Sequence, residues 1–459
     1  MRSAEWPERS AQIEQSLGTR WFFLKYSLAR PDARRAFKEA ISNQSLSRDE
    51  LEELNWKRTC HLLNYAYEHV PYYHDKFSDL GLHPADITKP EHFAQVPVLT
   101  REDLQGNLER LISREARPAD LKASTTGGST GQPVKVYHQK QVIRSAMLWR
   151  VLGWWGLPPD VNVASIYRDT ASRWTTKLLH SLFWWPTKRV LLDASAMDEQ
   201  SIGRFLRELM RVRPELVHAY VGALDHVAEY ILEKNIQVPP PKAIWATCSP
   251  LTVAQEKRIE KAFGAPVLDH YGCCEVYWLS AQCPAKKGLH RFHDVVRIEF
   301  LDERMCSVPI GELGRIAITD LQNRFFPLIR YLNGDTGREL AGQCTCGLTL
   351  PLMDKVKGRI SDSIRLPDGT IIAGEYLTTL FDEYPEVVRR FQVIQRRDYS
   401  IDILVVPNVD YGNHQQILET VRAKLAARAR HMVPVRLTAV DSLCAQGGKL
   451  RFVRSELGG

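Results

Sequence analysis

The stretch from Ile202 to Tyr271 limits the fold more than any other part of the chain, because it alternates helix and strand patterns three times. Ile202, Phe205, Leu206, Leu209 and Met210 fall on one face of a helix ended by Pro214, and Leu216–Ala219 reads as a short apolar strand. Leu224, Val227, Ala228 and Ile231 mark a second helix, followed by a strand over Ala243–Cys248. A third helix over Val253–Phe263 leads to a strand over Pro266–Tyr271. Such alternation covers a mostly parallel sheet with helices, and ligands collect at the carboxyl ends of its strands. The segment after Asp269 lies at such an end.

The flanks read differently. Leu51, Leu54, Leu62, Leu63, Ala66 and Val70 recur at helical spacing, and Pro71 is expected to stop that helix. Leu80–Leu99, rich in proline and polar residues, reads as connecting structure. Beyond Gly358 a hairpin is expected over Asp362–Ala373, turned at Pro367-Asp368-Gly369. A helix over Glu375–Phe381, strands over Phe391–Gln395 and Tyr399–Val405, a helix over His414–Ala427 and a strand over Val435–Val440 follow. About 100 residues of this content make a small separate domain. The expected organisation is α/β: a large domain over residues 1–357 with parallel-rich sheets flanked by helices, and a small α+β domain over 358–459.

At 459 residues the chain is too long for one core. Its 61 Lys and Arg against 54 acidic residues give +7, scattered without the basic run of a nucleic-acid binder. Met1–Arg20 lacks the apolar core of a signal peptide, and no stretch of about 20 apolar residues offers a membrane span. The tryptophan-rich Met147–Leu157 is broken by Arg150 and by glycines. These readings predict a cytoplasmic protein with no nucleic-acid and no membrane partner. Nine cysteines in so long a chain do not form a disulfide framework, so clustered ones point to metal or chemistry.

Four local signals carry chemistry. Ser124-Thr125-Thr126-Gly127-Gly128-Ser129-Thr130-Gly131-Gln132-Pro133 combines glycines that admit close backbone approach with hydroxyls suited to phosphate oxygens. It lacks the Gly-Lys-Ser/Thr ending of a Walker A loop, and the same composition also suits a flexible surface loop. In His270-Tyr271-Gly272-Cys273-Cys274-Glu275, an aromatic, a glycine and a carboxylate leave a strand end together. Arg330-Tyr331-Leu332-Asn333-Gly334-Asp335 and Gly358-Arg359-Ile360-Ser361-Asp362 supply an Asp and an Arg of the kind that hold a ribose. Gly447-Gly448-Lys449-Leu450-Arg451 places a lysine between glycines near the C-terminus.

The order of these signals resembles the adenylate-forming superfamily, and within it the phenylacetate–coenzyme A ligases and their relatives. NYAYEHVPYY, VPVLTREDL and PELVHAYVGALDHVAEYI add to the resemblance, which runs from about Leu51 to Arg454. It implies that Thr125 and the loop Thr126, Gly127, Gly128, Ser129, Thr130 and Gly131 contact ATP phosphates. It implies that Tyr271 and Gly272 meet adenine, that Glu275 holds Mg²⁺, and that Asp335 and Arg359 take the ribose. Lys449 would enter with a mobile small domain, turning near Arg359, and stabilise charge as the carboxylate attacks the α-phosphate. The acyl pocket would draw on Tyr220, Gly222, Trp245, Cys248, Ser249, Cys273 and Cys274. Where relatives carry Gly-Ala-Glu-Pro this chain has Thr247-Cys248-Ser249-Pro250, and the hinge reads Ile360-Ser361-Asp362 where adjacent acids are usual. Both departures touch the pocket or the domain motion.

Cys283, His290, Cys344 and Cys346 form a Cys₃His set of the kind that closes around structural zinc, with His293 as a substitute for His290. The expected activity is ATP-dependent conversion of a small, aryl or short branched carboxylic acid to its acyl-AMP, then transfer to coenzyme A. An amine or a carrier-protein thiol is the alternative acceptor. A catalytically idle nucleotide sensor is the rival class, and a homodimer is one open arrangement.

Overall fold

A computed structural model of the chain describes residues 16–125, 134–140, 144–167, 187–194, 197–356, 364–372, 376–377, 380–381, 383–384, 386–408, 411–443 and 452–457. The chain folds as two compact units, each built from two stretches: residues 1–159 with 270–355, and residues 160–269 with 356–459.

The first unit begins with helices α1 (Leu17–Ala29), α2 (Pro31–Asn43), α3 (Arg48–His69) and α4 (Pro71–Asp79). Ser47 starts α3 with a capping box to Glu50. Pro71 does not simply stop the helix; it takes the first position of α4, where its missing N–H has no partner to lose. A hairpin of β1 (Leu121–Thr125) and β2 (Lys135–Gln139) pairs Thr125 with Lys135. Helix α5 (Arg144–Trp154) follows, its Trp149 set among Phe22, Phe23 and Tyr26 of α1. After residue 270 the strands are antiparallel: β8 (Ser280–Gln282), β9 (Leu289–Arg291), β13 (Glu339–Leu340) and β14 (Leu352–Met353). Strands β10 (Val296–Leu301), β11 (Gly314–Asp320) and β12 (Tyr331–Gly337) form a separate antiparallel sheet.

The second unit holds the expected parallel sheet, in the order β4-β3-β5-β6: β3 (Val163–Tyr167), β4 (Arg189–Asp193), β5 (Leu216–Tyr220) and β6 (Ala243–Thr247). Helices α6 (Glu199–Val212), α7 (Val221–Glu233) and α8 (Val253–Phe263) cover it. Asp198 and Thr252 cap α6 and α8, and Gly264 closes α8 in the left-handed conformation. Ile202, Phe205, Leu206 and Leu209 bury together with Val217, Ala219, Ile244 and Ala246, the residues that define the pattern in the sequence. Strand β7 (Val267–Tyr271) then carries the chain into the first unit.

The C-terminal stretch has a core of its own. A hairpin pairs β15 (Ile364–Arg365) with β16 (Ile371–Ile372), and Gly369 in its turn has φ +85°. Strands β17 (Val388–Gln395) and β18 (Ile401–Pro407) pair antiparallel, with β19 (Val435–Ala439) and β20 (Val453–Ser455) parallel on either edge. Helix α9 (His414–Arg428) buries Leu418, Val421 and Leu425 in the same core. Within the unit, charged groups join this stretch to α7 and α8. Asp225, almost wholly buried, accepts from Arg258 at 2.8 Å and from Arg390 at 3.2 Å. Glu229 accepts from Arg389 at 2.7 Å and Arg390 at 2.8 Å, and Arg258 also donates to the Arg389 carbonyl.

Candidate active site

Strand β7 ends at Tyr271, and the chain turns at once. A Cβ on Gly272 would stand 2.1 Å from the Tyr277 carbonyl oxygen, so only glycine fits. The Cys273 N–H donates to the Val276 carbonyl at 3.1 Å, closing the turn that carries Glu275. Glu275 is buried and accepts a hydrogen bond from the Tyr331 hydroxyl at 3.0 Å. Burial, reinforced by Glu275, pushes the Cys273 thiol well up, so it stays neutral.

Opposite this turn, β12 leaves its ladder. Arg315 faces Thr336 while Ala317 faces Leu332, so Asn333, Gly334 and Asp335 together oppose Ile316. Gly334, at φ +85°, permits the bulge, which sets both polar side chains against Tyr271. The Asn333 amide donates to the Tyr271 hydroxyl and to Asp335 Oδ2, each at 2.7 Å. The Tyr271 hydroxyl donates to the same Asp335 oxygen at 2.8 Å. Burial first, and then the Asp335 charge, hold the phenol far above its ordinary range, so it remains a donor. Arg330, the first residue of this motif, has another task. It is buried at φ +49° and donates to the Ala94 and Met305 carbonyls at 3.0 Å and to Glu299 at 3.2 Å, anchoring the start of β12.

The hairpin β1–β2 reaches this region within the same unit. Ser124 hydrogen-bonds the Tyr277 hydroxyl at 2.8 Å, and His138 stacks on Tyr277 with ring centroids 4.1 Å apart. His138 Nε2 also meets the Cys274 carbonyl oxygen at 2.9 Å. The structure therefore ties two motifs to the end of β7 and the segment that follows it, through Ser124 on Tyr277, Tyr331 on Glu275, and Asn333 and Asp335 on Tyr271. Thr125 closes β1, while Thr126, Gly127, Gly128, Ser129, Thr130 and Gly131 lie outside the described residues. So do Arg359, Ser361 and Lys449.

In the second unit, β3 and β5 end level, and Tyr220 faces Thr247 of β6 in register. Tyr167, Tyr220, His218 and Trp245 gather at these carboxyl ends. His218 stacks on Trp245 at 4.0 Å, and Tyr167 lies 4.5 Å from His218 and 4.4 Å from Tyr220, centroid to centroid. The Tyr167 hydroxyl and His218 Nε2 share a short hydrogen bond. Cys248 follows β6 exposed, at φ +73°, a conformation rare for a side-chain-bearing residue. Ser249 is next to it, and Gly222 opens α7. Sequence reasoning missed Tyr167, although an aromatic closing the Val163–Tyr167 strand was the available signal.

Cys283, His290, Cys344 and Cys346 converge in the first unit, all four ligand atoms lying within 4.8 Å of one another. The Cys283 and Cys344 sulfurs are 3.6 Å apart, close to the edge of about 3.8 Å in a tetrahedron of zinc–sulfur bonds. Cys346 Sγ lies 3.3 Å from His290 Nε2, and His290 Nδ1 is 3.2 Å from the Leu350 carbonyl oxygen. That carbonyl selects the tautomer with Nε2 free as a ligand. The donor set fits Zn²⁺ in type, number and spacing. His293 does not enter the set; its Nε2 bonds Glu52 at 2.6 Å.

Comparison with known proteins gives a consistent picture. Residues 364–456 match the family model described as the CapK C-terminal domain. The chain is 24% identical to the phenylacetate-coenzyme A ligase of Thermus thermophilus, over 78% of this chain and 81% of that protein. It is 22% identical to Protein CapK of Staphylococcus aureus, over 88% and 89% of the two. Among solved structures, 2-hydroxyisobutyryl-CoA ligase in its postadenylation state superposes with a TM-score of 0.72 at 20% identity, covering 90% of this chain and 91% of that one. The amide bond synthetase McbA of Marinactinospora thermotolerans gives 0.53 at 17% identity, covering 75% and 68%. The chain thus shares the fold of these ligases over most of its length and is similar in sequence to the phenylacetate–coenzyme A ligases and to Protein CapK.

Proposed function

We propose that the chain is an ATP-dependent ligase that converts a small carboxylic acid to its acyl-AMP and passes the acyl group to coenzyme A. The carrying observation is the Tyr271–Asn333–Asp335 cluster beside Glu275, two buried carboxylates fixed by phenols at the end of β7. Asp335, with Arg359, takes the ribose hydroxyls, and Tyr271 lies against adenine. Gly272 lets the backbone approach the base.

In the first step a carboxylate oxygen of the acid attacks the α-phosphorus. The bond to the bridging oxygen breaks, and pyrophosphate leaves. Thr125 and the loop from Thr126 to Gly131 hold the departing phosphates, rooted in the hairpin that Ser124 ties to Tyr277. Lys449 meets the charge developing on the α-phosphate. Glu275 would hold Mg²⁺, which screens the triphosphate when bound. In the second step the coenzyme A sulfur attacks the acyl carbon, AMP departs with the shared oxygen, and the thiol proton passes to solvent. The small domain, residues 358–459, turns near Arg359 between the steps.

By the resemblance, Tyr220, Gly222, Trp245, Cys248, Ser249, Cys273 and Cys274 would line the acyl pocket, and within the second unit Tyr167 and His218 extend the aromatic surface of Tyr220 and Trp245. Flat aromatic walls suit an aryl acid or a short branched one. Cys283, His290, Cys344 and Cys346 hold one structural Zn²⁺. An amine or carrier thiol is the second reading of the acceptor, favoured by Thr247-Cys248-Ser249-Pro250, where the pocket departs from its relatives. ATP–pyrophosphate exchange across a panel of carboxylic acids tests the first step, and acceptor trials with the best acid test the second. No exchange with any acid would turn the reading to an idle nucleotide binder.

A further inference from the structure

Strands β1 and β2 form a two-stranded sheet that, among the described residues, joins no other sheet. A two-stranded hairpin by itself is marginal in water. Yet this one flanks the segment Thr126–Gly131, on which the proposed grip on the ATP phosphates depends, and Thr125 pairs with Lys135 at its open end. Whatever holds the hairpin therefore sets where that segment begins and ends.

The register shows what does so. Ser124 lies opposite Val136, so their side chains share a face, and His138, two residues further along β2, lies on that face too. Tyr277 meets this face on both strands. Its hydroxyl bonds Ser124 of β1 at 2.8 Å, and its ring stacks on His138 of β2 at 4.1 Å. His138 Nε2 lies 2.9 Å from the Cys274 carbonyl oxygen, which can only accept, so this nitrogen carries a proton and donates it. Elsewhere on β2, buried Asn323 takes the place of a neighbouring strand. It accepts from the Gln139 N–H at 3.2 Å and donates to the Tyr137 carbonyl at 2.8 Å. The turn after β7 has supports of its own in Gly272, the Cys273–Val276 bond and the Tyr331 hydroxyl on Glu275. The hairpin is the part that must be fastened, and Tyr277 and His138 fasten it to the turn.

We propose that Tyr277 and His138 are positioning residues that lock the phosphate-gripping segment to the turn carrying Tyr271 and Glu275. The lock rests on the ATP-dependent activity proposed above. ATP spans both parts, with base and ribose at Tyr271 and Asp335 and its outer phosphates at the segment after Thr125. AMP has no outer phosphates and engages the first part alone. A fixed spacing between the two parts therefore favours ATP and is of no consequence to AMP.

The test is calorimetric binding of Mg²⁺–ATP and of AMP to the full chain. Tyr277→Phe keeps the ring beside His138 and loses the Ser124 bond. It should weaken ATP binding about fivefold, the worth of one neutral hydrogen bond, while AMP binding and the melting temperature stay at the parent level. Ser124→Ala removes the same bond from the other side and should match it; it carries the test if Tyr277→Phe melts early. The double variant Ser124→Ala/Tyr277→Phe should be no weaker than either single one. His138→Ala, which loses the stack and the Cys274 bond together, should weaken ATP further and again spare AMP. Unchanged ATP affinity in a folded variant overturns the lock. So do equal losses for ATP and AMP, which would make the contacts merely structural, and additive losses in the double variant, which would have Ser124 act on the nucleotide by itself. In each of these cases the ATP-dependent activity still stands. A parent chain that does not bind Mg²⁺–ATP overturns that activity and the lock with it.

Discussion

Replacing Gly272 with alanine tests whether the turn after β7 is as closely built as it looks. The new Cβ would lie 2.1 Å from the Tyr277 carbonyl oxygen and 3.0 Å from His270 Cε1, where ordinary contact begins at 3.4 Å. One side must therefore give by more than an ångström. Tyr277 is held at its hydroxyl by Ser124 and at its ring by His138, and His270 is buried beside Trp278. Overpacking costs about 1–3 kcal/mol where side chains can yield, and here the obstacle is backbone, so a loss of about 3 kcal/mol is expected. Urea unfolding of Gly272→Ala measures it, beside Gly106→Ala and Gly412→Ala, whose added carbons meet nothing within 4 Å. The controls should stay within about 0.5 kcal/mol. Because Tyr271 and Glu275 flank the turn, pyrophosphate exchange by folded Gly272→Ala should fall with a raised ATP KM. A variant as stable as the controls with full exchange would refute both the geometry and the role of the turn.

Other perturbations reach the remaining parts. Purified protein should carry one zinc per chain by elemental analysis, and Cys344→Ser/Cys346→Ser should lose it; unchanged zinc in the variant contradicts the ligand set. Lys449→Ala should fold and bind ATP, yet lose at least about 3 kcal/mol of transition-state stabilisation; exchange above roughly a tenth of the parent level denies the lysine its role. Glu52, hydrogen-bonded by His293, is held down to about 2 from its ordinary 4.5. A carboxyl depressed by folding stabilises above its unfolded pKa and loses that contribution as pH falls from about 4.5 to about 2, so Glu52→Gln should flatten the acid limb of a pH–stability profile. An unaltered acid limb would show the pair to be inert. Asp225→Ala takes the carboxylate from Arg258, which keeps the Arg389 carbonyl, while Arg390 keeps Glu229, so a loss of about 2–3 kcal/mol is expected rather than the 3–5 of a fully orphaned pair. A double-mutant cycle with Arg390→Met that shows no coupling would contradict this.

What could be read from the sequence followed the strength of the local signal. The helices over residues 199–263 begin and end within a few residues of expectation, because apolar periodicity, Asp198 and Thr252 caps, and Pro214 and Gly264 stops agree. Strands β8 to β14 went unseen. Of these, β8, β9 and β14 are two or three residues long and buried throughout, and β14 finds its partner far along the chain, Leu352 opposite His290, so no period marks them; β10 and β12 do alternate in burial, a period of two that went unread. Pro71 shows a one-residue cue with two meanings, a stop for one helix and a first residue for the next. The Asp335 motif was visible as letters, but that it works as a bulge, with Asn333 bridging to Tyr271, depends on the β11 register. His290 and His293 have equal claims by spacing; Glu52, 241 residues away from His293, separates them. Tyr167 is legible as an aromatic closing its strand, but its contact with His218 and Tyr220 depends on β3 and β5 being neighbours.

The attachment of the C-terminal stretch to α7 and α8 bears on how two half-reactions could share one site. Each partner closes its own apolar core, one around Phe205 and Val217 and the other around Phe391 and Leu425. Between them lie Asp225 and Glu229 facing Arg258, Arg389 and Arg390, with Lys257 on Glu386 further out. An apolar seam of the same extent would resist separation by the whole hydrophobic term. Charged groups instead regain hydration when they part, which offsets much of the attraction lost. A joint of this kind specifies orientation closely while keeping release inexpensive in free energy. That is the property a domain needs if it must present Lys449 for adenylation and then withdraw it so that a thiol can reach the acyl carbon.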